Sequence, residues 1–224
     1  MYIYGKNVVK EVLNHKIIEA YIATNFSDKE ILNKLNCKIK YMDKHQLDKI
    51  VDGLHQGIIL KVEDYKYYDI DEIIKENGFL VILDHIEDPH NFGAIIRTCE
   101  AAGIDGIIIP KDRSVEVNGT VMKVSSGALE NIKISKVTNL VQSIDYLKKN
   151  GYWIIGTDMK GTDYSELDYK GKIAIVIGNE GKGISRLVKE NCDFIATISM
   201  KGKINSLNAS VATGIVIFKA IERR

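Results

Sequence analysis

Apolar and polar positions divide this 224-residue chain into two stretches of different rhythm. In residues 1–64, helical patterns alternate with short strands: "GKNVVKEVLNH", "EAYIAT", "SDKEILNKLN", "KIKYM", "DKHQLDKIV" and "GIILKVE". Val8, Val9, Val12 and Leu13 recur at helical spacing. Ser27 with Glu30 reads as a capping box at the start of the second helix. Residues 65–77 are polar and rich in tyrosine, a linker leading into a short helix. Those tyrosines suit burial against a neighbouring domain, with stacking on bases as the alternative.

From residue 78 to 224 the alternation strengthens. "FLVIL" is a continuous apolar run, as expected of a strand buried on both faces. "DPHNFGAIIRTCEAAG" follows as a helix, with Asp88 as N-cap, Pro89 in the first turn and Gly103 at the end. Strand "GIIIP", helix "NGTVMKVSSGALE", strand "IKISKV", helix "NLVQSIDYLKKNG" and strand "YWIIGT" come next. Strand "IAIVIG", helix "GISRLVKENC", strand "FIATISM" and a helix from about 207 complete the set. Such βα units predict an α/β fold with a parallel sheet flanked by helices. Ligands then sit beyond the carboxyl ends of the strands. The chemistry is expected in the loops after "FLVIL", "YWIIGT", "IAIVIG" and "FIATISM".

Composition alters this picture little. Net charge is +1, so bulk electrostatics advertise no nucleic-acid partner, and an RNA-binding surface must come from local clustering. Cys37, Cys99 and Cys192 are far apart and form no CxxC pair, which points to neither a disulfide framework nor a zinc site. The opening "MYIYGKNVVKE" lacks the apolar core of a signal peptide. Apolar runs such as "GIVIF" fall far short of the roughly 20 residues that span a bilayer. A soluble cytoplasmic protein is expected.

The strand-end loops carry the chemistry. "GNEGKGIS" lacks the spacing of a phosphate loop, and Glu180 would repel a phosphate. That carboxylate suits a ligand with positive charge or hydroxyls, or else complements a helix N-terminus. Asp84, His85, Asp88 and His90 match no common metal spacing. In the helix after them, Phe92, Ile95, Ile96 and Cys99 form a buried stripe. Arg97 leans over Gly93 and leaves room for something planar or anionic, unless it is simply a solvated surface residue. In "ISMKGKINSLNASVA", Ser206 and Asn208 flank the start of the last helix, where capping accounts for one of them but not both. Ala209, Ser210, Ala212, Thr213 and Gly214 follow, small residues that let another backbone come close.

Three segments, "NFGAIIR", "IVIGNEGKG" and "ISMKGKINSLNASVA", resemble in order and separation the three motifs of the SpoU branch of the SPOUT RNA methyltransferases. The likeness extends to "LHQGI" at 54–58, "PKDRS" at 110–114 and the opening "IYGKNVVKEVL", and so covers nearly the whole chain. Ser199 departs from it, standing where the third motif usually has proline, which should loosen the loop locally.

The resemblance implies an L30e-like RNA-binding domain over 1–64, a linker over 65–77, and a catalytic domain over 78–224 that ends in a deep trefoil knot. It implies a homodimer and the transfer of a methyl group from S-adenosylmethionine to a ribose 2′ oxygen of RNA, a guanosine of 23S ribosomal RNA above all. Alternatives are transfer RNA as substrate, an antibiotic-resistance methyltransferase, or a ribosome-binding module without activity. By motif matching, Thr157, Gly178, Ile198, Met200 and Leu207 hold the cofactor. Asn91, Arg97, Glu180, Ser206 and Asn208 match the family's functional polar positions. Lys6, Lys111 and Arg113 lie in matched segments as candidates to face RNA.

Overall fold

Strands β1 (Tyr2–Tyr4), β2 (Ile17–Ala23), β3 (Lys38–Met42) and β4 (Ile58–Val62) form a mixed sheet in the order β1-β4-β2-β3. The computed structural model describes residues 1–13, 16–203 and 206–224. Four of the five residues of β4 are buried, as a central strand requires. Helices α1 (Lys6–Glu11), α2 (Lys29–Lys34) and α3 (Lys44–Asp48) connect these strands. Val9 and Val12 join Ile22, Ile31 and Leu60 in one core.

Two helix boundaries differ from the sequence expectation. α1 ends at Glu11 with Val12 as its C-cap, and Asn14 and His15 lie outside the described residues. The N-cap of α2 is Asp28, whose carboxylate accepts the Ile31 N–H, rather than Ser27. Both residues are good caps, and the aspartate sits one position nearer the helical backbone. In the 54–58 segment His55 is buried, bonded through Nε2 to Asp48 and through Nδ1 to the Gly57 N–H, which makes it a structural residue.

The second sheet is wholly parallel. β5 (Phe79–Asp84), β6 (Gly106–Pro110), β7 (Lys133–Val137), β8 (Trp153–Asp163), β9 (Ile173–Gly178) and β10 (Phe194–Thr197) lie in the order β10-β8-β9-β5-β6-β7. Every residue of β5 and β6 is buried, in keeping with their unbroken apolar runs. The intervening helices are α4 (Pro89–Ala101), α5 (Gly119–Ser125), α6 (Leu140–Lys149), α7 (Arg186–Glu190) and α8 (Ala209–Arg223). Leu140, Ile144, Leu147 and Val188 of α6 and α7 pack against sheet residues in one cluster. α8 packs along α4, with Val216, Ile217 and Ala220 buried.

The chain divides into two compact units, 1–66 with 117–126, and 67–116 with 127–224. The segment 117–126 carries α5, and Met122 packs into the core of the first sheet. "NGTVMKVSSGALE" is therefore not one helix. α5 stops at the left-handed Ser126, and a separate 3-10 turn spans Ala128–Glu130. Among the described residues, no helix is long and apolar enough to cross a membrane.

A candidate active site at the strand ends

Strand order reverses between β5 and β9: β6 and β7 lie on one side of this pair, β8 and β10 on the other. Crevices outside the carboxyl ends of strands form at such a switch point. Here β5 and β9 end in register, Asp84 beside Gly178, so the loops after them must part in space.

Asp84 is 1% exposed, and its carboxylate accepts the Ser185 N–H at 2.6 Å and pairs with His85 Nδ1 at 2.5 Å. Asn179 Nδ2 donates to the His85 carbonyl at 2.8 Å. Together these bonds stitch the 179–185 loop to the end of β5. Asp88 caps α4 by accepting the His90 N–H at 2.8 Å. Asp84, His85 and Asp88 thus have protein partners, and among the described residues no cluster of His, Cys, Asp or Glu is arranged to hold a metal ion.

The 178–184 loop doubles back on itself: Asn179 and Gly183 exchange backbone hydrogen bonds of 3.1 and 2.8 Å. A Cβ on Gly178 would lie 2.2 Å from the Gly183 carbonyl carbon and 2.3 Å from the Ile184 nitrogen. The space that glycine leaves is filled by the loop's own returning backbone.

Beside the loop opens a cavity of about 320 Å³. Seven of the ten site residues expected from the sequence line it: Thr157, Gly178, Glu180, Ile198, Met200, Ser206 and Leu207. The Thr157 hydroxyl donates to the Val176 carbonyl at 2.9 Å, which fixes this side chain in the cavity wall with its donor already used. Ile198, Met200, Leu207 and Ala212 make much of the lining apolar.

Two further expected residues border the cavity through a chain of side-chain bonds. Asn91, buried on α4, donates from Nδ2 to Glu180 Oε1 at 2.6 Å. Its Oδ1 accepts from Asn208 Nδ2 at 2.8 Å. Asn208 Oδ1 meanwhile caps α8, accepting the Ser210 and Val211 N–H groups at 3.0 and 3.3 Å. One residue therefore serves as both cap and link, and Ser206 is left as an exposed residue at the cavity wall. One residue from each of three distant segments meets here.

Arg97 is the exception. It is exposed on α4, six residues and about 9 Å of helix axis beyond Asn91, and it does not line the cavity. Lys111 and Arg113 are exposed, and Lys6 stands over the Phe26 ring at 5.2 Å. The Ser199 hydroxyl donates to Asp163 at 3.0 Å, and the Ser165 hydroxyl and N–H, with this bond added, hold the Asp163 carboxyl below its usual range.

Sequence reasoning missed Asp158 and Met159, which also line the cavity. The strand pattern ends at Thr157, yet β8 continues to Asp163. Its pairing with β10 jumps from Gly156 opposite Ile195 to Thr162 opposite Ala196, so residues 157–161 bulge out of the ladder. A Cβ on Gly161 would fall 2.3 Å from the Ile195 carbonyl oxygen, so glycine is needed where the strand rejoins. No alternation of apolar residues marks such a detour.

Residues 78–218 match the SpoU rRNA Methylase family, and residues 2–68 match the RNA 2′-O ribose methyltransferase substrate-binding domain. A putative TrmH family tRNA/rRNA methyltransferase of Bacillus subtilis, YacO, is 41% identical over 100% of this chain and 96% of its own. Among solved structures, the SpoU methyltransferase AviRb from Streptomyces viridochromogenes, in complex with AdoMet, superposes with a TM-score of 0.77 at 22% identity, over 100% of this chain and 90% of that one. An AdoMet-bound rRNA methyltransferase from Sinorhizobium meliloti gives 0.72 at 25% identity, over 99% and 86%. The chain belongs to the SpoU family of RNA methyltransferases, with a substrate-binding domain ahead of the methylase domain.

Proposed function

We propose that this protein methylates the ribose 2′ oxygen of a guanosine in 23S ribosomal RNA, acting in the cytoplasm as a homodimer with a knotted C-terminal domain. The observation that carries this reading is the Glu180–Asn91–Asn208 chain of hydrogen bonds at the border of the strand-end cavity. The cavity fits the family's cofactor chemically: apolar walls suit an adenine ring and a thioether-like chain, and Glu180 suits a cation. S-adenosylmethionine, when bound there, supplies a sulfonium methyl group for in-line transfer.

The chain's own residues do the rest. Thr157, Ile198, Met200 and Leu207 wall the cofactor, and Gly178 keeps the loop closed beside it. Asn91 fixes Glu180 and Asn208 so that neither has to be ordered when substrate arrives, which lowers the entropic part of the barrier. Ser206 orients the sugar. Arg97 anchors the neighbouring phosphate and stabilises negative charge as it develops on the 2′ oxygen. Arg97 acts in this scheme as a fixed cation and not as the base. An association face is supported by Val211, Phe218 and Ile221, which stand 50%, 52% and 38% exposed along one stripe of α8.

Mapping 2′-O-methylation in ribosomal and transfer RNA from a deletion strain tests the assignment. A single methyl lost from 23S RNA is expected, and one lost from transfer RNA overturns the ribosomal substrate. For Arg97, single-turnover rates of Arg97→Lys across pH are expected to fall about 10²-fold in parallel with the parent enzyme. A variant whose rate climbs steeply with pH, unlike the parent, assigns the base role to this position instead.

A further inference from the structure

Residues 1–66 and 117–126 enclose a second cavity, of about 490 Å³, far from the strand ends in sequence. Tyr2, Tyr4 and Leu54 give it ring and apolar surface, with Leu54 81% exposed. Two of its walls are carboxamides whose orientation is fixed. Gln56 Oε1 accepts the Lys6 N–H at 2.8 Å. Asn118 Oδ1 accepts the N–H groups of Thr120 and Val121, both at 3.0 Å.

Asn118 Oδ1, with both lone pairs engaged, leaves only its NH₂ group to offer a ligand, and Gln56, its oxygen turned to the Lys6 N–H, offers its NH₂ group beside one remaining lone pair. Lys123 adds an ammonium, and among the described residues that line the cavity there is no carboxylate. Gln56 is moreover held at φ +52°, a left-handed conformation uncommon for a residue with a side chain. The tether to Lys6 keeps its amide at the wall from that backbone position. The cavity thus combines aromatic surface with hydrogen-bond donors and no side-chain acceptor of negative charge.

We infer that this cavity takes an unpaired nucleobase of the RNA, and one that presents carbonyl oxygens, guanine or uracil. Guanine offers two adjacent acceptors, O6 and N7, and uracil offers O4, whereas adenine and cytosine set an amine at the corresponding edge. Unpaired bases stack on aromatic side chains while their edges are read by hydrogen bonds. The inference rests on the reading that this unit binds RNA, and it adds which bases that unit selects.

The test uses the full-length protein and fluorescence anisotropy with short single-stranded oligonucleotides of uridine, alternating guanosine and uridine, adenosine, and alternating adenosine and cytidine. The first two are expected to bind about tenfold more tightly than the last two. Gln56→Glu keeps an oxygen for the Lys6 N–H but replaces the donor with a carboxylate. It is expected to erase the preference and raise KM for ribosomal RNA about tenfold, with S-adenosylmethionine affinity in calorimetry unmoved. Lys123→Met, which removes no cap, is expected to weaken binding in the same direction and keeps the test open if Gln56→Glu does not fold. Free uridine should compete and inorganic phosphate should not. Equal affinity for the four oligomers, a preference that survives Gln56→Glu, or displacement by phosphate alone overturns the inference while leaving methyl transfer intact. Failure of the parent protein to bind or methylate any RNA removes the functional reading along with it.

Discussion

Asn91 and Gln56 are both carboxamides placed beside a cavity, yet different partners hold them. Asn91 is fixed by three side chains: Asp88 of its own helix cap, at 3.4 Å, and Glu180 and Asn208, which lie 89 and 117 residues away in sequence. Gln56 is fixed by one backbone N–H, and Asn118 by those of its own helix turn. A network of side chains makes each member depend on the others, and its parts act as a unit. A side chain tied to backbone keeps its geometry when a neighbour changes. The strand-end site should therefore respond to single substitutions in an all-or-none manner, and the donor-lined cavity in a graded one.

The largest expected effect is that of Asn91→Asp. It keeps an oxygen for Asn208 but sets a second carboxylate where a donor now meets Glu180 at 2.6 Å. Two carboxylates at that distance cannot both ionise easily, so one pKa rises. The repulsion is absent while the shared site holds a proton and appears as the pH climbs through the raised pKa. Methyl transfer should fall about 10²–10³-fold in alkaline buffer, by roughly 3–4 kcal/mol, and recover in part on acidification. Parent-like activity at high pH would show that the network does not act as a unit.

Gly178→Ala comes second. The added methyl meets backbone at 2.2 and 2.3 Å, which no rotamer change relieves. Overpacking of this kind costs about 1–3 kcal/mol. Calorimetry with S-adenosylmethionine should show a Kd at least about tenfold weaker, with a lower melting temperature. An unchanged Kd would mean that the closed loop is irrelevant to the cavity beside it.

Asp158→Asn is the smallest. Burial alone would push the Asp158 carboxyl up, but the Lys189 ammonium at 2.8 Å and the Lys160 N–H outweigh it, and the net shift is downward from 3.8. A carboxyl lowered by folding stabilises the protein fully above its unfolded-state pKa. That contribution is lost as the pH falls below 3.8 through the folded-state value. Near neutrality the variant should lose under about 1 kcal/mol by thermal melting, as a partly exposed ion pair does, and it should match the parent in acid. A large loss would place a network around Asp158 too.

Much of this architecture was legible in the chain. Unbroken runs such as "FLVIL" and "IAIVIG" foretold strands buried on both faces, and the rule that ligands gather at strand ends pointed to four loops, of which those after β8, β9 and β10 line the cavity. Motif matching brought seven residues to its lining and two to its border. What stayed hidden was tertiary. Nothing local says that Gly178 makes room for its own loop, that β8 detours between Gly156 and Thr162, or that 117–126 packs with the first sheet. The cap at Asp28 rather than Ser27 was a choice between two adjacent residues of nearly equal propensity.

The detour in β8 separates two jobs that strands usually perform together. Residues up to Gly156 and from Thr162 onward keep the ladder with β10, while 157–161 are out of that register and the first three of them, Thr157, Asp158 and Met159, shape the cavity wall. Evolution, or an engineer, can rewrite the positions ahead of Gly161 to suit a different guest without unzipping the framework that supports them, so long as that glycine stays where the strand rejoins.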